Sequence, residues 1–229
     1  MDRIKVSLIG QMPSITTVKA VGKPYKNAKA DMTLAEKVIK VYRHESVSEH
    51  GVLSFEIDGI SRLCLQELAR HRMASLTVES TRFCLRNLLE DYVGMMRNSE
   101  SRMSDEIELL HKYFVFPETD DPDVEGLCED VILSSIEAMG DVYAKHKGEG
   151  RKEVNDLMKY MLPESFRTTL VWTVNIRSLN NFLKLRSAKG SHFEIRKLAK
   201  LVYEEAIKTP YKNLIFDINT TERSVQQES

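Results

Sequence analysis

The stretch that decides the fold is Arg70-His71-Arg72-Met73-Ala74-Ser75-Leu76-Thr77-Val78-Glu79-Ser80-Thr81-Arg82-Phe83. Its first three side chains are cationic or can become so, and they repel one another unless an anion is present. Hydroxyl groups follow, and Arg82 adds another guanidinium fork. Guanidinium and hydroxyl groups together suit phosphate or carboxylate binding. The alternative is a solvated helix end whose basic residues complement the helix dipole, and the stretch alone leaves the two interpretations evenly matched.

The residues just before this stretch predict a strand and then a helix. Residues 52–57 have the composition of a strand, and a helix with apolar residues at core spacing opens at Ser61. Glu67, Arg70 and His71 stand at positions i, i+3 and i+4, so they share one helical face. We therefore expect the basic cluster at the C-terminal end of this helix.

A polar segment, HESVSEH at residues 44–50, precedes the strand. One interpretation is a metal site at His44, Glu45 and His50. Zinc hydrolases, however, need His-Glu-x-x-His on one helical face, whereas five residues separate the histidines here. The simpler alternative is a helix C-terminus followed by a turn that small and acidic side chains stabilise.

The third polar cluster is NIRSLNNFLKLR at residues 175–186. Arg177 and Asn181 are one helical turn apart and project from one face. Arg186 follows Arg177 by nine residues, which places it about half a turn round the helix. This geometry suits two different ligands, or two subunits that share a site. The alternative is an amphipathic helix with polar residues in water.

The rest of the chain predicts a mixture of strands and helices, in an α/β or α+β arrangement. We expect one domain over residues 1–220 and a polar tail over residues 221–229. Thr33 is the expected N-cap of the helix at 34–43. The expected core face of the helix at 124–147 consists of Val124, Cys128, Val131, Met139 and Val142. The further elements are a strand at 4–9, helices at 34–43, 105–114, 124–147 and 153–161, a buried strand at 168–174, and helices at 178–186 and 192–208.

Composition narrows the class of protein. The 33 basic and 34 acidic residues nearly balance, which counts against a general nucleic-acid coat. No apolar run reaches the roughly 18 residues of a membrane helix, and the first residues lack the apolar stretch of a signal peptide. The three cysteines stand far apart, so we expect a reduced, cytoplasmic setting.

Taken together, the three clusters resemble the flavin-dependent thymidylate synthases, or ThyX family. Its hallmark is Arg-His-Arg, seven residues and then Ser, which residues 70–80 match. Residues 44–57 resemble the segment before the hallmark, and residues 172–186 with Glu194-Ile195 resemble the C-terminal motif. The resemblance covers roughly residues 35–90 and 155–205. It implies a central, mostly antiparallel sheet flanked by helices.

The resemblance also implies an activity. Members of the family are methyltransferases that convert dUMP to dTMP. The carbon comes from 5,10-methylenetetrahydrofolate, the hydride comes from reduced FAD, and NADPH reduces the flavin again. The family assembles as a homotetramer with an active site at each subunit interface. No metal is implied.

The family pattern assigns roles to particular residues of this sequence. Arg186 falls where a guanidinium stabilises negative charge on the uracil, and it stays charged at any working pH. His44 falls near the folate or nicotinamide. The positions that match flavin contacts are Ser46, Arg70, His71, Arg72, Asn175, Arg177 and Asn181, and those that match uridylate contacts are Glu67, Leu68, Arg70, Val78, Glu79, Ser80, Arg82, Lys159 and Arg186.

The sequence also departs from the common family form. It has Thr77-Val78 in place of Asn-Glu, Phe83 in place of Tyr, and Lys159 in place of Arg. Glu67 replaces a usual glutamine, and Gly190 aligns near a histidine. A branch of the family with Ala-Ser-Leu-Ser-Val is closer in this stretch. Three alternatives remain: a member that binds flavin without synthase activity, a nucleotide- or RNA-binding module, and a metal hydrolase.

Overall fold

The structure is a computed structural model, and it describes residues 4–24, 26, 29–97, 103–119, 121–146 and 151–219. The described residues form two compact units. The first unit draws on the described residues within 4–58, 64–77 and 169–219, and the second on those within 59–63 and 78–168. The predicted tail at 221–229 lies outside the described residues, and the single domain over 1–220 stays a prediction.

Strands and helices alternate at first and then give way to a run of helices. In chain order the elements are β1 (Lys5–Gln11), α1 (Ile15–Gly22), α2 (Met32–Lys40), a 3₁₀ segment (Glu45–His50), β2 (Val52–Ser61), α3 (Arg62–Ala69), β3 (Ala74–Val78), α4 (Thr81–Arg97), α5 (Met103–Tyr113), α6 (Pro122–Lys145), α7 (Arg151–Met158), a 3₁₀ turn (Lys159–Met161), β4 (Arg167–Asn175), α8 (Ile176–Arg186), α9 (Phe193–Ala206) and a last 3₁₀ turn (Lys212–Leu214).

Among the described residues, four strands form one antiparallel sheet in the order β1-β2-β4-β3. In the β1–β2 pair Leu8 lies opposite Phe55, and the register shifts between Leu8 and Gly10. Residues along β4 alternate between buried and half-buried, the period-2 pattern of a strand with one face on a core. The predicted mixed fold with an antiparallel sheet is confirmed.

The core of the first unit is centred on Trp172 of β4. The Trp172 ring lies 6.0 Å from the Phe55 ring and 5.0 Å from the Phe182 ring, measured between centroids. All three side chains are fully buried. Because Phe182 belongs to α8, this packing fixes α8 on the sheet and with it the polar residues that the helix carries.

Gly51 ties the start of α8 to the loop before β2. Its carbonyl accepts a hydrogen bond from the Ile176 backbone N–H at 2.9 Å. A Cβ atom at position 51 would lie 2.8 Å from both Ile176 Cγ1 and Tyr211 Cε1. Only glycine therefore permits this close approach, which sets the polar loop at 45–50 beside the helix that bears Arg177.

The second unit is built mainly from helices. Leu85, Leu88 and Leu89 of α4 are buried, as are Ile136 and Met139 of α6. Apolar residues at this spacing along each helix form the stripe that buries against neighbouring helices.

One sequence prediction about helices is wrong, and another holds only in part. Asp31, not Thr33, caps α2, because its Oδ1 accepts from the Leu34 N–H at 2.8 Å. On α6, Val124 and Val131 are 40% and 62% exposed, while the face through Ile132, Ile136 and Met139 is buried. Of the predicted core face, Met139 is buried and Cys128 and Val142 pack against the core, so the prediction fails at Val124 and Val131 and holds for the other three residues.

Among the described residues, the structure has no helix that is both long and apolar enough to span a membrane.

Candidate active site

The Arg-His-Arg motif lies in the connection between α3 and β3. The His71 N–H donates to the Leu68 carbonyl at 3.0 Å, so the chain turns tightly as α3 ends. This turn separates the three side chains. His71 is buried, whereas Arg70 and Arg72 are exposed. The motif therefore presents two guanidinium groups outward and one imidazole inward, and the prediction that it lies at a helix C-terminal end is confirmed.

Arg186, at the end of α8, is held by groups from the end of α3. Its Nη1 lies 2.5 Å from Glu67 Oε2, its Nη2 donates to the Glu67 carbonyl at 3.4 Å, and its Nε donates to His71 Nε2 at 3.0 Å. The Arg186 side chain is only 17% exposed. Glu67 also lies 3.5 Å from Arg70. The structure thus brings four predicted site residues together.

The hydrogen bond from Arg186 Nε assigns Nε2 of His71 as the acceptor. An imidazole nitrogen that accepts a hydrogen bond carries no proton, so the His71 ring is neutral with its proton on Nδ1. Burial lowers the pKa of His71, and the positive charge of Arg186 lowers it further. The ring also meets the Phe182 ring edge-on at 5.1 Å.

Arg177 projects from the other side of α8, toward the 3₁₀ segment at 45–50. Its Nη1 donates to Glu49 Oε1 at 2.6 Å, and its Nε lies 3.5 Å from Glu45 Oε2. Asn175 caps the helix through Oδ1, which accepts from the Ser178 N–H at 2.8 Å. Asn181 is exposed. The prediction that Arg177 and Arg186 point to different faces is confirmed.

The polar loop is a 3₁₀ segment in which Ser48 Oγ donates to the Glu45 carbonyl at 2.5 Å. His44 and Ser46 are exposed. Across the part of the chain that the structure describes, histidine, cysteine and carboxylate ligand atoms converge within 4.8 Å at His111, Glu125 and Glu129. Because the loop histidines are not among them, the alternative of a metal hydrolase built on His44–His50 loses its support.

A second polar group, in the second unit, surrounds Arg82 of α4. Arg82 donates from Nε and Nη2 to the two carboxylate oxygens of Asp156, at 2.8 and 2.6 Å. Lys159 Nζ donates to the same carboxylate at 2.7 Å, and Asn155 donates to the Arg82 carbonyl at 3.2 Å. These cations hold the pKa of Asp156 well below its usual range. Asp156 was not among the predicted site residues, although it stands one helical turn before Lys159.

Glu79 and Ser80 are the two residues that come just before α4. The Ser80 carbonyl accepts from the Phe83 N–H at 3.0 Å, and the Glu79 carbonyl accepts from Arg62 Nη2 at 3.1 Å. Burial and Glu79 raise the pKa of the Cys84 thiol to about 12. Cys84 is therefore protonated at neutral pH, which makes it a poor nucleophile.

Two predicted uridylate residues offer little side-chain chemistry. The Leu68 side chain is fully buried, so only its backbone is available to a ligand. Val78 is half-buried at the end of β3. The structure therefore leaves Glu67, Ser80, Arg82 and Lys159 as the polar side chains of the predicted uridylate set, together with Arg70, Glu79 and Arg186.

Comparison with known proteins identifies close relatives. A family model described as "Thymidylate synthase complementing protein" matches residues 7–209. A protein of Wolinella succinogenes named flavin-dependent thymidylate synthase is 41% identical over 180 residues, which are 76% of each chain. One of the same name from Helicobacter pylori strain 26695 is 36% identical over 174 residues, again 76% of each chain.

The fold matches a solved structure as well. The crystal structure of Thymidylate Synthase X from Helicobacter pylori, determined with FAD and dUMP, superposes with a TM-score of 0.74 at 29% sequence identity. The match covers 94% of this chain and 98% of the other. The similarity thus extends over nearly the whole of both chains.

Proposed function

This chain belongs to the family of flavin-dependent thymidylate synthases, and we propose that it methylates dUMP at C5 to give dTMP with FAD as cofactor. We further propose that 5,10-methylenetetrahydrofolate donates the carbon and that NADPH supplies the reducing electrons. The observation that carries the proposal is the guanidinium of Arg186, which Glu67 and His71 hold in place.

The chemistry of uracil explains why such a guanidinium is needed. C5 is a weak nucleophile, and it becomes stronger when negative charge on N3 and the flanking carbonyl is stabilised. A fixed guanidinium stabilises this charge without having to reorganise during the reaction. Arg186 is 17% exposed and bonded on three nitrogens, so it meets that requirement as the proposed catalytic residue.

The outward-facing residues of the first unit fit FAD. Arg70, Arg72 and Arg177 offer exposed guanidinium groups, which suit a diphosphate. When bound and reduced, FAD supplies the hydride that completes the methyl group. We propose that these arginines bind FAD together with Ser46, Asn175, Asn181 and the backbone of His71, whose side chain is buried.

The Arg82 group fits the phosphate of dUMP. Arg82 and Lys159 already bind an anion, the Asp156 carboxylate, and a phosphate offers more oxygen acceptors to the same donors. We propose that the phosphate competes with Asp156 and that Ser80 acts as a binding hydroxyl. The remaining dUMP residues of the proposal are Glu67, Leu68, Arg70, Val78, Glu79 and Arg186, with Leu68 acting through its backbone.

Three further features belong to the proposal. His44 is exposed, and we propose that its imidazole stacks on the folate or nicotinamide. The enzyme assembles as a homotetramer with its active sites at subunit interfaces, as the family pattern implies. It works in a reducing cytoplasm, in keeping with three free cysteines, two of them buried.

The test is a spectrum followed by an assay on the purified full chain. The proposal expects the absorbance of bound flavin, and dTMP formation that requires dUMP, methylenetetrahydrofolate and NADPH. A folded protein that takes up added FAD but forms no dTMP would be a flavin-binding relative without synthase activity. A folded protein that takes up no FAD and binds polynucleotide with steep salt dependence would be the RNA-binding alternative.

A further inference from the structure

We infer that the His71 side chain is a positioning residue for Arg186, because its neutral ring accepts from Arg186 Nε and sets the direction in which the guanidinium points. The inference rests on the proposed function, since it concerns how the proposed activator of the uracil is aimed. It gives the buried member of the Arg-His-Arg motif a task that differs from that of its two exposed neighbours.

The His71 ring is itself held in place by α8. Phe182 and Arg186 stand one helical turn apart, so both side chains reach the same side of the helix. Phe182 meets the ring at 5.1 Å and 85°, and Trp172 packs behind Phe182 at 5.0 Å. Because buried aromatic side chains pack closely, the Nε2 lone pair of His71 has a fixed direction.

Glu67 and His71 act on different parts of the guanidinium. Glu67 takes one N–H from each terminal nitrogen, Nη1 through its carboxylate and Nη2 through its backbone carbonyl. His71 takes the remaining nitrogen, Nε. A guanidinium has five N–H groups in a rigid plane, so three contacts define the plane and leave the other N–H groups of Nη1 and Nη2 for a ligand.

The contact exists only while His71 is neutral. The charged groups that face the ring are Arg186 from α8, Glu67 from α3 and Arg70 from the turn itself. Protonation would place a hydrogen on Nε2 and a second positive charge against Arg186, which would break the hydrogen bond. Since an unperturbed histidine titrates near pH 6.5 and the pKa of His71 is lowered, the contact persists at neutral pH and is lost on the acid side.

The first test compares His71→Gln and His71→Leu in the FAD-loaded full chain, with kcat and KM for dUMP measured from about pH 5.5 to 8.5. A glutamine oxygen accepts from Arg186 at every pH, so this variant should keep kcat within about threefold of wild type and lose the acid decline. Leucine cannot accept, so its kcat should lie about tenfold or more below wild type at neutral pH and approach the wild-type value at the acid end, with FAD retained and KM for dUMP little changed.

His146→Gln is the matched control, because His146 follows α6 in the second unit and the variant should keep the wild-type acid decline. The inference is overturned if folded, FAD-loaded His71→Leu turns over at the wild-type rate, or if His71→Gln keeps the same acid decline.

A second measurement separates this inference from the proposed function. In a ¹⁵N-histidine NMR spectrum of the wild-type chain near pH 7.5, the inference expects His71 to be neutral with Nε2 unprotonated. A proton on Nε2 overturns the inference whatever the activity. If Nε2 is unprotonated but no dTMP forms, the proposed function fails, and the inference, which rests on it, fails as a statement about catalysis.

Discussion

Two arginine–carboxylate pairs, one in each unit, show how similar chemistry serves different tasks. The Arg186 side chain is 17% exposed and has a neutral imidazole beside it. The Arg82 side chain is 41% exposed and shares its carboxylate with Lys159. A pair that is partly shielded from water is more strongly coupled, whereas an exposed pair is weak and exchanges with other ions. The arrangement at Arg186 suits the orientation of a positive charge, and the arrangement at Arg82 suits the binding of an anion.

Loss of the half-buried Arg186 guanidinium should have the largest effect. We expect Arg186→Ala to lower the rate of dTMP formation about a hundredfold or more, as removal of a preorganised charge stabiliser does. Flavin absorbance should remain, because the exposed arginines proposed to bind FAD are unchanged. Turnover assays and spectra of the same preparation check both points. Wild-type turnover in this variant would remove Arg186 from the proposed chemistry.

Loss of the exposed Arg82 guanidinium should weaken the binding of dUMP and leave the chemical step unchanged. We expect Arg82→Ala to raise KM for dUMP roughly tenfold with kcat little changed, because the phosphate takes no part in the reaction. Steady-state kinetics check this split. Arg86→Ala is the matched control, since Arg86 lies one turn further along α4 and pairs with Glu90. Equal effects from both variants would contradict the assignment of Arg82.

Protonation of His71 at acid pH should weaken the contacts that hold Arg186. Because the pKa of His71 is lowered in the folded chain, the unfolded chain takes up this proton first as the pH falls. The contribution to stability is complete above about pH 6.5 and declines below it. We expect His71→Gln to reduce the acid loss of melting temperature by on the order of 2 °C. Parallel melting curves of the two proteins would contradict the linkage.

Removal of the competing carboxylate should produce the smallest effect. Asp156→Asn leaves Arg82 and Lys159 without their negative partner, so we expect KM for dUMP to fall roughly threefold at low salt. Kinetics at two salt concentrations check this, with Glu90→Gln as the exposed control on α4. A rise in KM would mean that Asp156 orients Arg82 for the ligand and does not compete with it.

The contrast between the two pairs was only partly visible in the sequence. The nine-residue spacing from Arg177 to Arg186 predicted opposite helical faces, because helical geometry is local and regular. The partner of Arg82 was not foreseen, since Asp156 lies 74 residues away along the chain and no local rule joins them. The contact between Arg186 and His71, 115 residues apart, was hidden for the same reason.

Two other features, helix α4 and the N-cap of α2, were not predicted although the sequence contains a pattern for each. Helix α4 was not predicted, although Leu85, Leu88 and Leu89 carry the apolar spacing of its buried face. At α2, Asp31 and Thr33 are both good N-cap residues, and only the actual start of the helix at Met32 distinguishes them. Packing against other elements buries the leucine face of α4. The register in which α2 begins makes Asp31 its N-cap.

The most direct test of the central claim is the release of tritium from dUMP labelled at C5, catalysed by the FAD-loaded full chain. We expect that release requires methylenetetrahydrofolate and NADPH and proceeds together with dTMP formation, because the new carbon bond displaces the C5 hydrogen. A folded, FAD-loaded protein that releases no tritium when all substrates are present would contradict it.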